Sequence, residues 1–198
     1  MHFGKRECLQ QKINHKDSGQ TEWVIGMFFI LILSVVLYTQ LRIASFQVTG
    51  MYLEDALAAS DLASALIDVE AYGKTRKVWI PDAQTAYQIY REAVRENLGL
   101  DETWVCTDST LIDGQVEIAD YVIYNVDGNL VTMQRLDASG NICEQYTAAR
   151  RSMRAPNGLP IEKTGIYSEI RFPVRGPFGI TFWAHKGKLV DIAVEEGD

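Results

Sequence analysis

The side chains able to do chemistry are few and widely spaced. His185 is the one histidine that follows the apolar segment at Trp23 to Leu41. An imidazole can act as acid or base near neutral pH. His185 falls on the polar side of an alternating strand, beside an expected turn at Lys186-Gly187, and reads as a surface histidine. A Ser-His-Asp site can be assembled from distant residues, yet no GxSxG, HExxH or Walker pattern points to one. Glu117, Asp120 and Asp127 crowd the first hairpin. Paired carboxylates there suit glycoside hydrolysis, or equally the charge that keeps a sheet edge from aggregating. Arg150, Arg151 and Arg154 either dock an acidic partner or lipid headgroups, or belong to a solvated loop. Gly176 and Gly179 in RGPFGIT have no helix after them, which argues against a phosphate cradle. The three cysteines, Cys8, Cys106 and Cys143, have no metal-ligand spacing. No catalytic residue, metal or cofactor is expected. Cys106 and Cys143 can pair as a disulfide in an oxidising exterior; two free thiols read the same in sequence.

Charge narrows the partners. The chain of 198 residues carries a net charge of -7, with +1 over residues 1–22 and -8 over the rest. Binding a nucleic-acid backbone needs clustered Lys and Arg, so nucleic acid is not an expected partner.

Trp23 to Leu41 is a run of 19 residues without a formal charge. At about 1.5 Å per residue such a helix approaches the thickness of a bilayer's hydrocarbon core. Trp23 and Tyr38 lie towards its ends, where amphipathic rings favour the interface. Lys5, Arg6, Lys12 and Lys16 precede the run, whereas Arg42 alone follows it closely. The positive-inside rule then leaves residues 1–22 as a cytoplasmic tail or leader and puts residues 42–198 outside the plasma membrane. A cleaved signal peptide is the competing reading; its site after Ser45 has Ile43 where a small residue belongs. Glu22 borders the apolar run. It either faces water or meets a cation, such as the terminal amine of a neighbouring subunit.

The elements that must position these residues follow from periodicity. Leu53, Leu57, Leu62, Leu66 and Val69 recur at helical steps, and no proline interrupts residues 20–80. The pattern predicts one helix from about Thr21 to Ala71, stopped at Tyr72-Gly73. Lys77 to Ile80 precedes Pro81 and should be extended. Asp82 caps a second helix over residues 83–98, with Ala83, Ala86, Tyr87, Tyr90, Val94 and Leu98 on its apolar face and Gly99 at its end. Strands are expected at Val116 to Val126, Leu130 to Leu136 and Ile142 to Tyr146, with turns at Asp127-Gly128 and Ser139-Gly140. Ala148 to Leu159 reads as a surface loop. Ile166 to Val174 alternates, Gly176-Pro177 turns the chain, and residues 180–185 and 189–194 complete the set, with the Lys186-Gly187 turn between them. Strands after helices indicate an α+β fold with an antiparallel sheet.

Several stretches carry a resemblance. Ser18-Gly19-Gln20-Thr21-Glu22-Trp23, followed by the apolar run, is similar to the processing region of pilins and pseudopilins. Tyr90 to Leu100 (YREAVRENLGL), Tyr124 to Gly128 (YNVDG) and Gly165 to Val174 (GIYSEIRFPV) narrow the likeness to TadE-like minor pseudopilins of Gram-positive bacteria. The resemblance implies a long helix, half apolar and half packed on a small antiparallel sheet. It implies a non-enzymatic structural subunit of a Tad or type IV-like pilus or secretion assembly. Gly19 and Gln20 would flank the cut made by a prepilin peptidase, and Glu22 would be the acidic residue of the mature chain. Other pilin-like subunits or assembly proteins would bind through the apolar helix, where Gly26 and Ser34 allow close approach. The alternative is a membrane-anchored exterior binding or adaptor module that is not assembled into a filament.

Overall fold

The computed structural model describes residues 4–107, 112–176 and 179–192, with side chains from residue 21 onward except Ala71. Contacts divide the chain into two units, residues 1–48 and 49–198. In the first unit, Trp23 to Leu41 belong to a helix, α1 (Gly4–Ser64), and are exposed around its whole circumference. This helix is long and apolar enough to cross a membrane.

The second unit is α+β. After α1 come α2 (Val69–Thr75) and α3 (Ala83–Asn97), then β1 (Glu117–Asp127), β2 (Leu130–Leu136), β3 (Ile142–Ala149), β4 (Gly165–Arg175) and β5 (Thr181–Asp191). The strands form one antiparallel sheet in the order β3-β2-β1-β4-β5. Asp82 caps α3 as expected: its carboxylate accepts from the amides of Gln84 and Thr85. The expected apolar face of α3 is buried from Ala83 to Leu98, and Gly99 follows with φ 60°. Tyr87 and Tyr90 of this face meet Tyr121 of β1 at centroid distances of 5.4 and 4.7 Å.

The helix expected from Thr21 to Ala71 differs at both ends. It begins by Gly4 and stops at Ser64, where the amide of Leu66 turns back to the Ser64 carbonyl at 2.8 Å. Asp68 then donates to Trp79 O, and a separate helix, α2, runs past the expected stop at Gly73. The face that packs also differs. Leu53 and Leu57 are buried, but Leu62, Leu66 and Val69 are exposed. Ser60, Asp61 and Ser64 take the buried positions instead, because steps of four and three from Leu57 reach them first.

One further expectation is refined and another corrected. β3 takes in Ala148 and Ala149, and the rest of residues 148–159 is irregular and mostly exposed, as expected of a surface loop, but it is a strap pinned by buried residues. Met153 and Ala155, with Ile161 just beyond, pack on Val122, Tyr124, Val131, Met133 and Tyr167, forming a second core on the sheet face away from the helices. Lys186-Gly187 is not a turn, since β5 runs through it in register with β4. Gly187 is there for close approach: a Cβ at this position would collide with the Tyr167 hydroxyl.

Leu57→Ala should destabilise the second unit by about 3 kcal/mol through the cavity it leaves. Leu62→Ala, at a similar position in the repeat but exposed, should stay within about 0.5 kcal/mol. Denaturant unfolding of the full chain in detergent, followed by tyrosine fluorescence, separates the two.

Candidate functional site

The residues with chemical potential fall into three places. The first is α1 itself. Glu22 is exposed and borders a shallow groove with Trp23, Gly26, Met27 and Ile30. Gly26 leaves open space around its Cα, and the Ser34 hydroxyl is satisfied within the helix by Ile30 O at 2.8 Å. Gly19 and Gln20 lie in the helical backbone of α1; their surroundings lie outside the described residues.

The second place is the interface between the α1 segment 49–64 and the sheet. Asp61 is 1% exposed. Its Oδ2 accepts from Ser168 of β4 at 2.9 Å, while its Oδ1 has no partner. Ser64 bonds the Tyr121 hydroxyl at 2.9 Å, and the buried Tyr90 hydroxyl lies beside Ser168 without a hydrogen bond of good geometry. Burial pushes the Asp61 carboxyl well up from its ordinary value, with the Ser168 hydrogen bond opposing in part. A protonated carboxyl spares the core an isolated charge. Further along the same helix, Glu54 pairs with Lys186 at 2.8 Å and Lys188 at 2.5 Å. Hydrogen bonds and charge from these two lysines of β5 lower the Glu54 carboxyl to about 2.

The third place is the open half of the second sheet face. Glu169 accepts from the Tyr167 hydroxyl at 2.6 Å and meets His185 Nδ1 at 3.1 Å. Asp120 lies opposite Glu169 in the β1–β4 register. A bulge at Ala119 shifts the pairing there by one residue: Asp120 stays in phase with Val122 and Tyr124 on this face, while Ile118 moves to the other face, opposite Ile170. Arg135 bridges Asp120 at 3.2 Å and Glu144 at 3.1 Å. Burial raises the Asp120 carboxyl, against the pull of Arg135. Arg171 stacks over Trp183 at 4.3 Å. The structure therefore brings together Asp120 and, through Glu169, His185, which are far apart in sequence. Asp127 is elsewhere, paired with Lys77 at 2.6 Å, and Glu117 faces Arg171 across the strands. The network is mostly satisfied internally and lies on an open face. It suits sheet cohesion better than the water-excluding cleft that acid–base chemistry uses. Among the described residues no group of His, Cys, Asp or Glu is arranged to hold a metal ion.

Cys106 and Cys143 are free thiols, so of the two readings open in sequence the structure has the unbonded one. Cys106 Sγ donates to Leu98 O at 3.6 Å, and Cys143 Sγ to Arg135 O at 3.4 Å. Cys143 is the extra residue of a bulge between β2 and β3.

Sequence reasoning missed Asp61. The signal was its place four residues after Leu57, on the face that Leu53 and Leu57 bury. Nothing local marked the Glu54 pairs or the Glu169 cluster, whose members are brought together by strand register.

Two opposite pH dependences follow. The folded carboxyl of Asp61 is raised above its unfolded value near 4. Its contribution is complete below pH 4 and is lost as pH rises through the folded value. Glu54 has the reverse sign: its contribution is present above about pH 4.5 and fades as pH falls towards 2. Asp61→Asn should flatten the loss of stability on the alkaline side. Glu54→Gln should flatten the loss on the acid side. Unfolding midpoints measured across pH for the three proteins check both signs.

No family model matches the chain, and no curated protein or solved structure is similar enough to count as a match.

Proposed function

We propose that this protein is a non-enzymatic structural subunit, a minor pilin-like component of a Tad or type IV-like assembly in the plasma membrane. One observation carries the reading. The helix α1 supplies an apolar segment exposed on every side at Trp23 to Leu41, and its residues 49–64 are built into the core of an α+β unit. A segment apolar all round packs against like helices as readily as against lipid. A helix that is also part of the folded unit's core lets such packing carry the unit with it. The order of elements, long helix first and antiparallel sheet after, agrees with the pilin-like expectation, as does Glu22 at the edge of the apolar run.

One feature favours the second reading, an anchored binding or adaptor module that keeps its N-terminus. Pilins place the acidic residue five positions after the cleaved glycine, whereas Glu22 is three after Gly19.

Intact mass and N-terminal sequencing of protein recovered from membranes of its native host decide between them. The subunit reading expects a chain that begins at Gln20. A chain that retains Met1 or His2 would favour the anchored module, and one that begins near Phe46 would make the apolar run a discarded signal.

A further inference from the structure

The strap carries an unusual set of cations. Of the described Lys and Arg side chains, all but four make a close ion pair, a phenol hydrogen bond or a ring contact. The four are Arg150, Arg151, Arg154 and Lys163, and all lie on one stretch of 14 residues in a chain of net charge -7. Of these, Arg150 donates to Glu162 O at 3.5 Å, Arg154 donates to Gly158 O at 3.1 Å, and Lys163 lies within electrostatic reach of Asp191. Arg150, Arg151 and Lys163 line a single open cavity of about 530 Å³ together with Pro160, the buried Ile161 and one acidic residue, Glu162, with Asp191 a second carboxylate within electrostatic reach of Lys163. A cavity of this size is in the range of small-ligand sites.

The cavity is held by backbone rather than left to loop motion. Arg150 N donates to Asn129 O at 2.8 Å, Met153 N to Arg150 O at 3.2 Å and Ile161 N to Met153 O at 3.3 Å. Arg154 and Pro160 form a β-bridge that closes the strap. Met153, Ala155 and Ile161 fix it to the second core. Such anchoring lowers the ordering cost of binding.

We propose that this cavity binds a phosphate group, which Arg150 and Arg151 would hold through their guanidinium forks and Lys163 as a point charge. Guanidinium groups that line one cavity can match the oxygens of a tetrahedral oxyanion, and the hydrogen bonds they make are charge-assisted. An acidic surface around the site repels the same ligand elsewhere, which confines binding to the strap. The phosphate can come from a soluble phosphate or from an anionic lipid headgroup; the chemistry is shared.

The full chain in phosphatidylcholine nanodiscs is titrated with inorganic pyrophosphate by calorimetry. The same protein in mixed phosphatidylcholine and phosphatidylglycerol nanodiscs is released for native mass spectrometry, and retained anionic lipid is counted. Saturable pyrophosphate binding, weakened about tenfold by Arg150→Gln or Arg151→Gln, establishes the site with a soluble source. Retained phosphatidylglycerol that falls in the same variants, without pyrophosphate binding, establishes it with a lipid source. Arg154→Gln removes a strap cation that does not line the cavity and should leave binding within about twofold, as expected away from a specific contact. Equal binding by wild type and the Arg150 and Arg151 variants, equal loss in Arg154→Gln, or no binding of either probe would overturn the proposal. Unfolding midpoints of the variants, read beside the titrations, identify any loss that reflects misfolding; in that case Lys163→Gln takes the place of the affected arginine variant.

Discussion

The second unit depends on one interface, the docking of residues 49–64 of α1 across the sheet. Leu53 and Leu57 provide the apolar burial. Asp61 and Ser64 reach Ser168 and Tyr121 on the two central strands, β4 and β1. Glu54 reaches Lys186 and Lys188 on the edge strand β5. Polar contacts of this kind add less stability than their number suggests. They do fix position, because a helix shifted by one residue would leave Asp61 buried without its partner.

This interface explains why polar groups appear where leucines were expected. A helix whose face stayed apolar from Leu53 through Val69 would pack at several registers on the sheet. Ser60, Asp61 and Ser64 remove that freedom, and the exposed Leu62 and Leu66 lie off the packing face. The helix ends at Ser64, four residues before Asp68 hands the chain to Trp79. There Asn125 grips Ile80 with both its amide groups, at 2.8 and 3.0 Å.

Much of the fold was legible because periodicity and caps act locally. The α3 helix was readable from Asp82 and six apolar positions, and the β1–β2 hairpin from Asp127-Gly128. What was not legible depended on partners distant in sequence. Lys186-Gly187 has the composition of a turn; only Tyr167 on the neighbouring strand shows that the glycine makes room for a hydroxyl. The strap looked like a loop because its buried residues, Met153, Ala155 and Ile161, are separated by prolines and arginines that show no period. Ile118 changes sheet face through a bulge at Ala119, a feature without a sequence period. The candidate site was least legible for the same reason, since Glu169 meets His185, and Arg135 meets Asp120 and Glu144, only through register.

In the proposed subunit, the exposed face of α1 between Trp23 and Leu41 packs against like helices, and the same helix continues into the sheet unit. A photoreactive amino acid placed at Phe29 and irradiated in native membranes tests this most directly. A subunit packed in this way gives protein adducts whose cross-linked peptides come from apolar N-terminal helices, of this chain or of similar subunits. Adducts with lipid alone, at a level unchanged when Glu22 is replaced by Gln, would contradict it.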